Sequence, residues 1–109
     1  MPKSMEKLFE EYRSAIAEIF GEHEIRIILY GSYARGDFQM DSDVDIMVLA
    51  DIAPEDVSYY ADKLYDVTYD FETKYSKEIN PIVQSKRIFD QWKNAYPFFM
   101  NIEKEGVVV

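Results

Sequence analysis

The sequence predicts an α/β fold, also classed as α+β, in which helices flank a small mixed β-sheet. Apolar residues at helical spacing alternate along the chain with short runs of β-branched residues, which is the pattern of helices packed on a sheet. Of the 109 residues, 48% are hydrophobic and 16% are aromatic, which is enough to build one core. No internal repeat or low-complexity stretch interrupts the pattern. We therefore expect residues 1–109 to form a single domain.

The first half of the chain is predicted to hold one long helix and two strands. A helix over residues 4–20 follows from an apolar stripe at i, i+3, i+4 and i+7 spacing, with Gly21 as its expected C-cap. The β-branched run Ile25–Tyr30 predicts a central strand. Val44–Leu49 predicts a second strand, because acidic and apolar side chains alternate at its start.

The second half is predicted to hold three helices and two further strands. Pro54 stands at a helix start, and an apolar stripe continues from it to Tyr75. Pro81 lies inside the next strand and predicts an edge position, because proline cannot donate a hydrogen bond to a neighbouring strand. The remaining predicted elements are the strand Glu78–Val83, a helix from Lys86 to Ala95, a short helix from Pro97 to Glu103 and a short edge strand at Val107–Val109. Aromatic residues of the last two helices are expected in the core, or in a partner-binding patch where they are exposed: Phe89, Trp92, Tyr96, Phe98 and Phe99.

The charge of the chain is negative and uneven. The net charge is −9, and residues 37–72 hold eleven acids and one base. An acidic chain repels phosphate backbones, so we expect no duplex nucleic acid as a ligand. The chain has no cysteine and one histidine, which excludes disulfides, thiolate metal sites and multi-histidine zinc sites. No apolar run approaches the roughly 18 residues of a membrane span, so we expect a cytoplasmic protein without membrane contact.

The segment from Gly31 to Val48 carries the chemistry. A strand ends at Gly31-Ser32, where a glycine lets the backbone approach a ligand, and where N–H groups at a helical turn and a serine hydroxyl can bind phosphate. The next strand starts with Asp43 and Asp45, whose i, i+2 spacing puts both carboxylates on one face. Two negatively charged carboxylates a few ångströms apart repel each other, which is unfavourable unless cations neutralise them. The pattern therefore predicts a phosphate site beside a divalent metal site.

This combination favours phosphoryl or nucleotidyl transfer from a metal-bound triphosphate. Two metal ions would neutralise the phosphates and activate an attacking hydroxyl. Arg35 is predicted either to neutralise phosphate charge or to form a structural ion pair.

Gly31-Ser32 followed by Asp43-x-Asp45 resembles the signature of the DNA polymerase β-like nucleotidyltransferase superfamily. The longer string Gly-Ser-x-Ala-Arg-Gly, with the later Ser-Asp-x-Asp, is similar to its smallest branch, the minimal nucleotidyltransferases (MNT proteins). Similarity to the family continues in Asp66-x-Thr-Tyr-Asp70, in Ile79-x-Pro-Ile and in the segment from Pro97 to Gly106, so it covers nearly the whole chain.

The resemblance implies roles for individual residues. Gly31 and Ser32 would hold the phosphates of ATP, and Asp43 and Asp45 would hold two Mg²⁺ ions. The superfamily also uses a third carboxylate on a neighbouring strand. Glu78 is the first candidate here, because a strand residue can face the aspartate pair, and it is a Glu where the superfamily more often has Asp. Asp70 and Glu72 are further candidates on a predicted helix.

The resemblance also implies a partner. Many MNT proteins resemble the antitoxin half of a two-gene module, in which the adjacent gene encodes a HEPN-family ribonuclease toxin. In such modules the family's activity is transfer of AMP from ATP to a tyrosine of the toxin. We therefore predict a Mg²⁺-dependent enzyme that transfers AMP to a hydroxyl of a HEPN toxin. The resemblance also allows a hetero-oligomer of the two proteins. Two alternatives stay open: a non-catalytic module that neutralises its partner by contact, and a nucleotidyltransferase that acts on a small molecule.

Overall fold

The computed structural model describes residues 3–109 and contains a four-stranded mixed sheet between two layers of helices. The elements are α1 (Lys3–Phe20), β1 (Ile25–Tyr30), α2 (Ser32–Arg35), β2 (Val44–Ala50), a 3₁₀ turn (Pro54–Asp56), α3 (Val57–Tyr75), β3 (Ile79–Ser85), α4 (Lys86–Trp92), α5 (Pro97–Glu105) and β4 (Val107–Val108). The strand order is β3-β2-β1-β4. The predicted fold class is confirmed.

Strand β2 is central and joins the two halves of the sheet. It pairs antiparallel with β1, where Tyr30 lies opposite Asp45, and parallel with β3, where Asn80 lies opposite Asp45. Parallel neighbours need a crossover connection, and α3 supplies it. β3 is an edge strand, as Pro81 predicts, and β4 covers the other edge by pairing with β1.

The larger core lies on the face of the sheet covered by α1 and α3. The fully buried side chains there include Leu8, Ile16, Val44, Ile46, Val48 and Leu64. Tyr12 of α1 and Thr68 of α3 share a buried hydrogen bond between their hydroxyl groups, which ties the two helices together. A smaller cluster of Met47, Leu49, Phe89, Phe99 and Ile102 packs on the opposite face against α4 and α5.

Several predicted boundaries differ from the structure. The helix expected from Pro54 begins as the 3₁₀ turn, and β3 starts at Ile79 and continues to Ser85, so Glu78 precedes the strand. The helix predicted to Ala95 ends at Trp92. Phe89 and Phe99 are buried, whereas Trp92 at the end of α4 and Tyr96 in the link to α5 are half-exposed. Among the helices of residues 3–109, none is both long and apolar enough to cross a bilayer.

Candidate active site

A cleft of about 440 Å³ lies where β1 ends and β2 begins. This volume is within the ordinary range of small-ligand pockets, roughly 300–1,000 Å³. Its lining comes from the end of β1, from α2, from the start of β2 and from α5: Tyr30, Gly31, Ser32, Arg35, Ser42, Asp43, Asp45, Phe98, Asn101, Ile102 and Glu105. Five of the six site residues predicted from the sequence therefore line one cleft, and Glu78 does not.

Gly31 brings the turn close to the Asp45 carboxylate. Its backbone has φ 77° and ψ −155°, a conformation that side chains disfavour. A Cβ atom placed on Gly31 would overlap Oδ2 of Asp45. The backbone and the carboxylate are in contact only because residue 31 has no side chain. This contact puts the start of α2 directly beside Asp43 and Asp45, which we call the acidic pair.

The start of α2 also offers backbone N–H groups that have no acceptor within the helix. The N–H groups of Ala34 and Arg35 both reach the carbonyl of Gly31 at 3.1 Å, so the helical turn begins at Ser32. The first N–H groups of a helix have no acceptor within the helix and can bind an anion. Gly36 then ends the turn in a left-handed conformation, with φ 84°. The Gly31-Ser32 segment is therefore suited to a phosphate group.

Asn80 lies between the two carboxylates of the acidic pair. Its Nδ2 donates to Oδ2 of Asp43 and to Oδ1 of Asp45, both at 3.3 Å. The amide thus supplies the positive end of a dipole where a cation would be most stable. Rotation of this amide by a half turn would direct its oxygen to the same point. Two carboxylates and an amide oxygen are ligands that suit Mg²⁺, so the residues present fit this metal.

Glu78 lies against the acidic pair from outside the cleft. A hydrogen bond with the Asp43 carboxylate, together with the negative charge of that group, raises the pKa of Glu78, because the protonated form of Glu78 can donate to its neighbour. Within β3, Asn80 takes the register position opposite Asp45, and Glu78 immediately precedes the strand. Within residues 3–109, no three acidic, histidine or cysteine side chains converge as a ready metal-binding group.

The two other candidates for a third carboxylate lie elsewhere. Glu72 accepts a hydrogen bond from the N–H of Ile79 at 2.9 Å and so stabilises the turn that leads into β3. Asp70 is exposed on α3 and borders a small surface pocket with Glu11 and Lys74. Neither side chain lines the cleft.

Arg35 is engaged in ion pairs at the mouth of the cleft. Its Nε lies 3.2 Å from Asp37 Oδ2, and a terminal nitrogen lies 3.7 Å from Glu105 Oε2. Both pairs are solvent-exposed, so each is weak and exchangeable. Of the two predicted roles, the ion pair is the one present, and Arg35 remains on the cleft wall where a phosphate could replace a carboxylate.

Helix α5 forms a wall of the cleft that sequence reasoning did not assign to the site. Phe98, Asn101 and Glu105 line the cleft from this helix, and their spacing of three and four residues puts them on one helical face. This spacing is the feature of the sequence that could have indicated a shared face of α5. Phe98 packs edge-on against Tyr30, with 5.7 Å between the centres of the two rings. Burial, together with the negative charge of Asp45, raises the pKa of Tyr30 to about 12. Tyr30 therefore stays a neutral phenol at the cleft floor.

Lys77 holds the loop that leads into the acidic pair. Its Nζ donates to the Tyr33 hydroxyl at 2.7 Å and to the carbonyl of Met40 at 2.8 Å. The Phe38 ring stacks on the Tyr33 ring at 4.7 Å. Ser42 accepts a hydrogen bond from the N–H of Gln39 at 2.7 Å, which closes the last turn before Asp43. These contacts fix the position at which β2 begins.

The amino-acid sequence of the chain is similar to those of known proteins. A family model described as a nucleotidyltransferase domain matches residues 9–106. Two proteins of Methanocaldococcus jannaschii, both named as candidate protein adenylyltransferases, are similar to the chain. The first is 35% identical over 104 residues, covering 95% of this chain and 96% of that protein, and the second is 33% identical over 103 residues, covering 94% and 96%.

One solved structure is also similar in shape. It is described as a toxin-antitoxin crystal structure with AMP-PNP, with a TM-score of 0.47 and 19% identity, and the match covers 91% of this chain and 70% of that one. The family match and the two relatives rest on sequence and do not depend on this likeness. They extend over nearly the whole chain and include the Gly31-Ser32 turn and the acidic pair. The chain is thus a member of the nucleotidyltransferase domain family.

Proposed function

We propose that the protein is a Mg²⁺-dependent adenylyltransferase that moves AMP from ATP to a hydroxyl group of a partner protein. The observation that carries this proposal is the contact of the Gly31 backbone with the Asp45 carboxylate. It combines a phosphate-binding turn and a metal-binding pair in one cleft. The two similar archaeal proteins are named for the same reaction class, which supports a protein as acceptor.

The residues of the cleft divide the work. The N–H groups and hydroxyl at Ser32 bind the phosphates, and Arg35 exchanges its carboxylate partners for phosphate oxygens. Asp43, Asp45 and the adjoining Asn80 side chain would hold the metal. Mg²⁺ held there would neutralise phosphate charge and lower the pKa of the attacking hydroxyl. The hydroxyl oxygen forms a bond to the α-phosphorus and its proton passes to solvent water. The bond from the α-phosphorus to the oxygen that bridges to the β-phosphate breaks, and pyrophosphate leaves with that electron pair.

We assign the partner as a HEPN-family toxin and the protein as its antitoxin. This assignment rests on the resemblance of the Gly-Ser-x-Ala-Arg-Gly string to MNT proteins. The cleft is open to solvent beside α5. A partner protein that supplies the acceptor fits such a site.

A second candidate function has one observation in its favour. The strand position opposite Asp45 is an amide, Asn80, and not a carboxylate. A nucleotidyltransferase fold that binds its partner without chemistry would tolerate this substitution. In that case the protein neutralises its toxin by contact alone.

One experiment separates the two functions. The product of the adjacent gene is incubated with Mg²⁺, α-labelled ATP and either the wild type or the Asp43→Ala/Asp45→Ala variant. We expect label on the partner with the wild type and none with the variant. A tight complex and retained neutralisation without any label would show that the fold serves as a binding module.

A further inference from the structure

The outer side of α3 carries a row of tyrosines and aspartates. The exposed fractions of Tyr59, Tyr65 and Tyr69 are 57%, 51% and 69%. Aspartates at positions 62, 66 and 70 follow one another at four-residue spacing, so they lie along one line of the helix surface. We name this surface the Tyr–Asp face and define it by Tyr59, Asp62, Tyr65, Asp66, Tyr69 and Asp70.

The Tyr–Asp face is unfavourable for the helix that carries it. Like charges at i, i+4 destabilise a helix, and aspartate and tyrosine are weaker helix formers than the lysine and glutamate common on solvent faces. The short helix α4 shows the ordinary solution, since Lys86 and Asp90 form an i, i+4 ion pair at 2.7 Å. Packing within the chain does not require the residues of the Tyr–Asp face, because they point away from the sheet.

The negative charge of the face is not compensated within the described chain. Among residues 3–109, the acids that form ion pairs are Glu11, Asp37, Asp90, Glu103 and Glu105, and none belongs to the Tyr–Asp face. The one base in this region, Lys63, lies over the Tyr59 ring at 4.8 Å from its centre. The three aspartates are therefore available to positive charges of another molecule.

We infer that the Tyr–Asp face is the docking surface for a protein partner that presents lysine and arginine side chains. We identify this partner with the acceptor protein of the proposed function, and this identification rests on that proposed function. Exposed carboxylates attract such side chains and steer their approach, and tyrosine is a residue type that often dominates interface energies. The same charges repel nucleic acids and anionic membranes.

The course of α3 places the C-terminal end of this surface at the end of the sheet where β2 begins. The helix starts beyond the end of β2 and runs back to Tyr75, and the chain enters β3 at Ile79, where Val44 of β2 lies opposite. The C-terminal half of the face, at Tyr69 and Asp70, is thus at the end of the molecule that holds the acidic pair. The cleft itself opens on the opposite face of the sheet, so a partner bound to the Tyr–Asp face reaches it by extending around this end of the molecule.

The test compares two charge-reversed variants of the whole chain. Asp62→Lys/Asp66→Lys alters the face, and Glu6→Lys/Glu10→Lys makes the same change of charge at the same spacing on α1. Binding to the product of the adjacent gene is measured by calorimetry at two salt concentrations. We expect the α3 variant to bind at least about tenfold more weakly and the α1 variant to change less than about threefold. Tyr69→Ser, which keeps the charge, should also weaken binding about tenfold.

Each outcome decides the matter. Equal weakening by both charge reversals, unchanged binding of the α3 variants, or no complex with the wild type would overturn the inference. Circular dichroism and ATP binding verify the fold of each variant, and Asp62→Asn/Asp66→Asn replaces a charge reversal that fails to fold. A complex that depends on the face but receives no label contradicts the proposed function and leaves the docking surface intact. If the α3 variants transfer label to the partner as well as the wild type does, the docking surface is contradicted and the proposed function is not.

Discussion

The two faces of β2 differ sharply although their residues alternate one by one along the chain. Val44, Ile46 and Val48 point to the core under α1 and α3 and are fully buried. Asp45 points to the opposite side, followed by Met47 and Leu49, which α4 and α5 cover. At Asp45 this second layer ends, and the cleft begins.

The difference shows how a strand can support a core and a site at the same time. Successive side chains of a strand point to opposite faces, so a charged residue can stand between two fully buried ones. The closed face holds β2 in place, and the open face presents the charge. Stability and chemistry should therefore be separable by substitutions at neighbouring positions.

The strongest test of this comparison uses the neighbours Asp45 and Ile46. Asp45→Asn should reduce nucleotidyl transfer on the order of a thousandfold, because charge-stabilising groups contribute this much to transition states. Its thermal stability should be unchanged or slightly higher, since one of two close negative charges is removed. Ile46→Ala should instead lower the free energy of unfolding by about 2–5 kcal/mol, through lost burial and a cavity.

Transfer rates per folded molecule and chemical denaturation measure the two effects. Transfer by the folded fraction of Ile46→Ala should stay within about threefold of the wild type. If Asp45→Asn unfolds the protein as strongly as Ile46→Ala, the two faces are not independent.

The second test uses two glycines with the same sign of φ. Alanine at Gly31 or at Gly36 forces a side chain into a disfavoured backbone conformation, which costs roughly 1–3 kcal/mol at either position. At Gly31 the new Cβ also overlaps the Asp45 carboxylate, whereas at Gly36 it meets nothing within 4 Å. We expect Gly31→Ala to lower transfer about a hundredfold and Gly36→Ala to lower it less than about threefold. Equal activity losses in both variants would show that backbone strain alone is responsible.

The third test asks whether Glu78, just before β3, or residue 80, within β3, is the residue that assists the acidic pair in the reaction. Glu78→Gln should lower transfer about ten- to a hundredfold, because Glu78 lies against Asp43 and orients it. Adding Asn80→Asp to that variant should restore most of the activity, since residue 80 faces Asp45 in the register. Asn80→Ala in the same background is the control and should restore nothing. Full activity of Glu78→Gln would exclude Glu78 from the reaction.

The smallest effect is expected at the mouth of the cleft. Glu105→Gln removes one of the carboxylates that compete with phosphate for Arg35. Because the ion pair is exposed, ATP affinity should rise only about two- to fourfold, which calorimetry can measure. Lys104→Gln is the control, because it removes a charge from the neighbouring position of α5. Weaker ATP binding by Glu105→Gln would mean that Glu105 itself contacts the nucleotide.

Much of the site was accessible from local patterns. The i, i+2 spacing of Asp43 and Asp45 and the glycine turn at Gly31 are properties of a few adjacent residues, and the structure brings them together as predicted. The contribution of α5 was missed because Phe98, Asn101 and Glu105 are distant in sequence from the motif. Asp70 and Glu72 were kept as candidates because spacing alone does not show which side of a helix meets the site.

The sequence by itself determined the fold class, the turn, the acidic pair and the family, because periodicity and a compact motif are encoded within short segments. Only the tertiary structure decided that Asn80 stands between the two carboxylates, that Glu78 lies outside the cleft and that Glu72 stabilises the turn into β3. These facts depend on the parallel register of β2 and β3, which a long crossover joins. No local pattern specifies that register, because it is set by how the whole of α3 packs against the sheet.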